Sequence, residues 1–217
     1  AKAGLGIDLW VIRLWAVLPD EALRVLLSII YLAFDDKVPM QLLLVLIGLM
    51  PKEKGGERPI ALTAMLYRVA MKLVKRSISD WDQETAGFWD TAIAGNSCLR
   101  AALCRSLGVE LAVARGFSAV GILWDISAFF DSILIHRLVE HALSLGFPPL
   151  VLRLSLKAHT AARVFKEGTY VSHFLKPAGT SILAGCGASV SFTRAALYDI
   201  LDGMHRDYRP CQIQTYV

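Results

Sequence analysis

The sequence predicts an α+β fold, with helices first and an antiparallel sheet later in the chain. Three observations predict it. Apolar residues recur at helical spacing in the first part, as at Leu23, Leu26, Leu27, Ile30 and Phe34. Arg163–Leu175 instead alternates and turns at Glu167-Gly168, a hairpin pattern. Between these regions, Ala119–Asp125 is a short apolar run of strand character. Helices followed by a strand–helix–hairpin–helix–strand unit segregate the two kinds of layer.

The elements follow in order. Leu44–Met50 is short, apolar and stopped by Pro51, which suits a buried strand. Lys52–Arg58 is a charged loop around Gly55-Gly56. Thr63 stands where an N-cap would open a helix to about Ser79, with Leu66, Val69, Ala70, Leu73 and Val74 on its apolar face. Arg68, Lys72, Lys75 and Arg76 form a separate basic stripe along that helix. Ser97–Leu107 predicts another helix, followed by Gly108. A helix over 132–145 has Asp131 or Ser132 as its cap and Leu134, Leu138 and Leu145 on its buried side. Gly146 takes its left-handed C-terminal position, and Pro148-Pro149 prevents continuation. A helix over 187–206 and a strand over 212–217 complete the series.

At 217 residues the chain is long enough for one domain or two small ones. Its net charge of +4 is weak support for a nucleic-acid partner by itself. Position says more: Lys52, Lys54, Arg58 and the stripe face only Glu53 and Glu57 over residues 52–76. Asp8, Arg13, Asp20 and Glu21 break any signal-peptide core. The oily segments Ala22–Phe34 and Val38–Met50 are each shorter than the roughly 20 residues of a spanning helix, so they read as core elements and no membrane partner is expected. Cys98, Cys104, Cys186 and Cys211 are irregularly spaced, which points away from a zinc or disulfide framework and toward a reducing intracellular compartment.

The chemistry centres on Asp125. A lone acid at a strand end more often caps a turn, but here Phe130 and Asp131 follow at close spacing. Carboxylates on rigid elements can hold two metal ions about 4 Å apart for nucleotidyl transfer. Magnesium suits such a site because it takes carboxylate and phosphate oxygens.

The stretch Asp125-Ile-Ser-Ala-Phe-Phe-Asp131 resembles the first catalytic motif of reverse transcriptases, especially those of non-LTR retroelements and group II introns. The resemblance covers nearly the whole chain in order. Gly6-Ile7-Asp8 with Trp10 is similar to the family's entry segment. Leu49–Lys52, Glu57–Leu62 and Tyr67-Arg68 are similar to its fingers motif. Gln83, Gly87-Phe88 and Gly95–Ser97 resemble the next block. Arg163–Leu175 with Ala178-Gly179 resembles the hairpin before the glycine-centred motif, and Gln214–Val217 the opening of Tyr-x-Asp-Asp.

The resemblance implies a polymerase right-hand fold, with fingers over 1–117, part of a palm over 118–217 and no thumb. It implies template-directed DNA synthesis from deoxynucleoside triphosphates on an RNA template and a DNA primer. Asp125 and the Ile126 carbonyl would ligate two Mg²⁺ ions, with Mn²⁺ as an alternative. Lys52 and Arg58 would grip the triphosphate, and guanidinium suits phosphate because its donors are planar and bidentate. Phe130 would press on a ribose 2′-hydroxyl, and Gly185 would bring bare backbone under the nucleotide. Arg68, Lys72, Lys75 and Arg76 would contact a nucleic-acid strand; the competing reading is a solvated helix face. Asp131 is assigned to helix capping. Two departures stand out. Ala184 replaces the family's usual Gln, and the chain stops at Val217, where two further acids are expected. The isolated chain is therefore expected to be inactive, and the alternative is a non-catalytic retroelement relic or RNA-binding module.

Overall fold

The computed structural model describes residues 4–35, 37–39, 42–53, 55–208 and 213–215. Cys211, Tyr216 and Val217 lie outside the described residues. The element order is α1 (Ile12–Trp15), α2 (Asp20–Phe34), β1 (Val45–Pro51), β2 (Glu57–Leu62), α3 (Met65–Leu73), α4 (Lys75–Thr85), α5 (Cys98–Ala114), α6 (Phe129–Ser132), α7 (Ile135–Ser144), α8 (Pro149–His159), β3 (Arg163–Glu167), β4 (Tyr170–Val171) and α9 (Ser189–Asp207). The fold is mixed α and β, as the periodicities imply.

The sheet corrects the antiparallel expectation. Its strand order is β2-β1-β3-β4, with β1 antiparallel to β2 but parallel to β3. Val45 lies beside Arg163, and Ile47 beside Phe165. Strand β2 is not expected from the sequence: Glu57 and Arg58 fall in the charged loop, and the residue that follows them is Pro59. It is tolerated there because β2 is an edge strand, where a missing N–H costs little.

Helix α2 forms where its periodicity predicts, with Ile30 and Ala33 buried, Leu27 exposed, and Asp20 and Glu21 at the favourable N-terminal end. The single helix expected after Thr63 is two helices, broken at Val74. Thr63 is not its cap. The Asp8 carboxylate, far away in sequence, accepts the Met65 N–H at 2.6 Å instead. Ser97 does cap α5, accepting from Arg100 N–H at 3.1 Å, and α5 runs past Gly108 to Ala114. Helix α7 ends as expected. Gly146 has φ 69°, and Phe147 N–H donates back to the Ala142 carbonyl at 2.8 Å. Helix α8, which starts with Pro149 in its first turn, was not foreseen.

The strand expected over Ala119–Asp125 is absent. Residues 118–126 carry no regular structure and are exposed. No backbone hydrogen bond within the described residues holds this stretch, and a strand without a neighbouring strand has no ladder to form.

One apolar core joins these elements. Trp81 meets Phe147 edge-to-face and Phe147 meets Phe192 at a tilt, with ring centroids 4.8 Å and 5.3 Å apart. Leu138, Val151, Ile182 and Leu183 fill the space around them. Each such burial stabilises by roughly 1.5–3 kcal/mol. Both the sheet and the core draw on residues before and after 117. No helix among the described residues is long and apolar enough to cross a membrane.

Candidate nucleotide-binding site

A seam of backbone hydrogen bonds brings three distant segments together. Ile182 N–H donates to the Phe130 carbonyl at 2.9 Å, and Ser181 N–H donates to the Ile133 carbonyl at 3.0 Å. On the other side, Ala61 N–H on β2 donates to the Ala184 carbonyl at 3.2 Å. The Phe130 backbone, the turn holding Gly185, and Ala61 of β2 thus lie along one seam. Gly185 has φ 101°, which favours glycine, and a Cβ there would stand 3.5 Å from the Ala61 carbonyl oxygen. The turn is exposed at Gly185, while Ile182 and Leu183 anchor it in the core. Phe130 is half-buried, packs on the core and lies 6.2 Å from the Phe129 ring.

Side chains brace the same seam. Arg163 donates from Nη1 to Ser181 Oγ at 2.9 Å, and from Nη2 to the Ser181 and His159 carbonyls at 3.1 Å and 3.2 Å. Ser181 Oγ donates in turn to Asp131 Oδ1 at 2.9 Å. Asp131 is therefore not the cap of α7, which Leu134 opens with no side-chain cap; it lies in α6 and receives Ser181. Ser181 holds a left-handed backbone, φ 78°. His159 Nδ1 accepts the Leu183 N–H at 2.7 Å, fixing the turn from below. Burial, reinforced by the Arg163 charge, pushes His159 down to about 3, so its ring is neutral. Tyr67 Oη and Cys186 Sγ lie 3.0 Å apart, and burial raises both groups well above or above their ordinary values.

A second buried network fixes the far end of the core. Arg194 on α9 is bonded to Asp90 and Asp82, and Ser191 Oγ donates to Asp82 at 3.0 Å. Burial raises the Asp82 carboxyl, with the Arg194 charge opposing the shift. None of Arg163, Ser181, His159, Asp82, Asp90 or Arg194 was singled out by sequence. Each works through partners far along the chain, and no local spacing signals such a pairing.

The other expected residues fall as follows. Lys52 is exposed beyond β1, with its N–H on the Gly56 carbonyl at 3.0 Å. Arg58 is exposed on β2, opposite Met50. Arg68 is half-buried and donates to the Gly4 carbonyl at 2.8 Å, so its guanidinium ties the N-terminal segment to α3. Lys72 and Lys75 are exposed, and Arg76 lies 3.9 Å from Asp80. The break at Val74 separates Arg68 and Lys72 from Lys75 and Arg76, so the stripe does not run along one continuous helix.

Asp125 and Ile126 are exposed in the irregular stretch. Among the described residues, no three His, Cys, Asp or Glu side chains are grouped to hold a metal ion. Asp125 stands in this irregular stretch, outside any strand of the described residues. Gln214 is exposed, and Thr215 donates its N–H to the Trp89 carbonyl at 2.8 Å. Cys98 and Cys104 are free and exposed, and Cys186 is free and buried. No protein-family model matches the chain, and no curated protein matches it either.

Proposed function

We propose that the chain carries the nucleotide-binding side of a reverse-transcriptase-like polymerase, acting with an RNA template, a DNA primer and deoxynucleoside triphosphates. The observation that carries this reading is the seam joining Phe130, the Ile182–Gly185 turn and Ala61 of β2. It brings the backbone of Phe130, a bare turn and the strand that bears Arg58 side by side, and the reading assigns them to the sugar, base and phosphate of a nucleotide. In this reading, residues 1–117 are the fingers and 118–217 part of the palm of a right-hand polymerase. Phe130 excludes a 2′-hydroxyl, Gly185 lets the nucleotide approach backbone, and Lys52 and Arg58 hold phosphate oxygens. Arg163, Ser181 and Asp131 position Phe130 and the turn. In this reading Asp125 would supply one carboxylate of a magnesium-dependent step, and the chain by itself is expected to recognise nucleotides without transferring them.

Equilibrium titration tests this. The 217-residue chain should bind dATP more tightly than ATP, and Phe130→Ala should erase the difference. An unchanged preference in Phe130→Ala would return that ring to core packing alone. Supplied with primer–template, deoxynucleotides and Mg²⁺ or Mn²⁺, the chain should extend no primer; measurable incorporation would overturn the assignment to recognition only.

An RNA-binding module without nucleotide recognition is the second reading. Exposed Lys72 and Lys75, on consecutive helices, favour it. It predicts RNA affinity that weakens with salt, by about one unit of log slope per phosphate contact, with no response to dATP.

A further inference from the structure

The strand register sorts the charges at the open end of the sheet by face. Residues paired across strands share a face, and neighbours along a strand alternate. Arg58 lies opposite Met50, two residues from Gly48, and Gly48 pairs with Lys166 of β3. Arg58, Met50, Gly48 and Lys166 therefore share one face, and continued alternation past Pro51 adds Lys52. The acids take the other face: Glu57 pairs with Pro51, and Glu167 follows Lys166 along β3. Glu53 lies in the connecting turn.

Gly48 leaves the middle of the basic face open. A Cβ there would meet only the Leu62 side chain, at 3.8 Å, so no clash demands glycine. Lys52, Arg58 and Lys166 are all exposed, and none makes an ion pair or side-chain hydrogen bond among the described residues. Strand spacing and rise put the Cα atoms of Arg58 and Lys166 about 12 Å apart, close enough for two long side chains to converge on one phosphate chain.

We infer that Lys166 completes a three-cation face with Lys52 and Arg58, and that this face holds the phosphate chain of a nucleoside triphosphate. The inference rests on the nucleotide-binding reading above and adds a residue from β3 that lies outside the fingers region. Three unpaired cations on one face attract consecutive phosphates. Sending the acids to the opposite face removes the repulsion that interleaved charges would cause.

The test is a titration of the 217-residue chain with dATP and with inorganic tripolyphosphate. Lys166→Ala should weaken both by about fivefold, the effect of one exposed charged contact. Lys166→Arg should hold affinity within about twofold, and Glu167→Gln, on the opposite face, should not weaken it. If Arg58→Ala weakens dATP and Lys166→Ala does not, the inference falls and the nucleotide reading stands. If the unaltered chain binds no dATP, both fall. If Lys166→Ala weakens a single-stranded RNA oligomer but not dATP, the face takes a strand and the triphosphate assignment is overturned.

Discussion

Two apolar runs of the same character meet opposite fates in this fold. Val45-Leu46-Ile47 and Ile122-Leu123-Trp124 are both short and rich in strand formers. The first has β2 on one side and β3 on the other, and Val45 is 0% exposed. Among the described residues no strand lies beside the second, and Trp124 is 79% exposed. The contrast extends to whole elements. Helices α7, α8 and α9 bury Leu138, Val151 and Phe192, whereas α5 buries nothing and exposes Leu99, Leu103, Leu107 and Leu111 along one side. The molecule exposes 14302 Å², against about 10,000 Å² for a compact chain of this mass. Apolar composition supplies the tendency to be buried; a geometric partner decides whether burial happens.

The difference can be broken at its strongest point by paired substitutions in urea denaturation. Phe192→Ala, at a position 0% exposed, should cost about 4 kcal/mol through lost transfer energy and a cavity. Trp124→Ala should change stability by less than about 0.5 kcal/mol, because its ring touches little. A large loss at Trp124 would mean that the 118–126 stretch is packed in solution, and the contrast between the two runs would collapse.

A somewhat smaller effect is expected where burial involves charge. Arg194→Ala strands two carboxylates, Asp90 buried and Asp82 partly so, and should cost about 3 kcal/mol. Arg105→Ala on exposed α5 should be near neutral. Equal effects would show that the Arg194 network carries no special weight.

The smallest effect is a pH slope. His159 is neutral when folded, at about 3, against an ordinary value near 6.5. The unfolded chain therefore binds the extra proton between those values. The stability His159 contributes is complete above about 6.5 and declines as pH falls toward 3, by up to about 1.4 kcal/mol per unit. Asp82, raised by burial, works in the opposite sense over the acid range. Melting temperatures from pH 7 to 5 should fall less steeply in His159→Gln than in the parent chain. Identical slopes would mean that another group governs acid sensitivity.

Much of the local structure was legible in the residues. The Gly146 terminus, the Ser97 cap, the turn at Glu167-Gly168 and the helical spacing of α2 each depend on a few adjacent residues. The candidate site was legible only in pieces. Phe130, Arg58 and Gly185 are marked only by the resemblance to reverse transcriptases, and the hydrogen bonds linking their segments join residues far apart in sequence. Asp131 illustrates the limit: its position before a helix suggested a cap, and a serine fifty residues away claimed it.

The chain by itself determined helix α2, the start of α5, the end of α7 and the turn at Glu167-Gly168, because capping, glycine conformation and apolar spacing act within a few residues. Only the tertiary structure decided that β1 runs parallel to β3, that Asp8 rather than Thr63 caps α3, and that Arg194 lies between two aspartates. It also decided that Ala119–Asp125 forms no strand. The physical reason is common to all four: strand pairing and buried ion networks need a partner brought from elsewhere in the chain, and which partner arrives is settled by packing, which no short stretch of sequence contains.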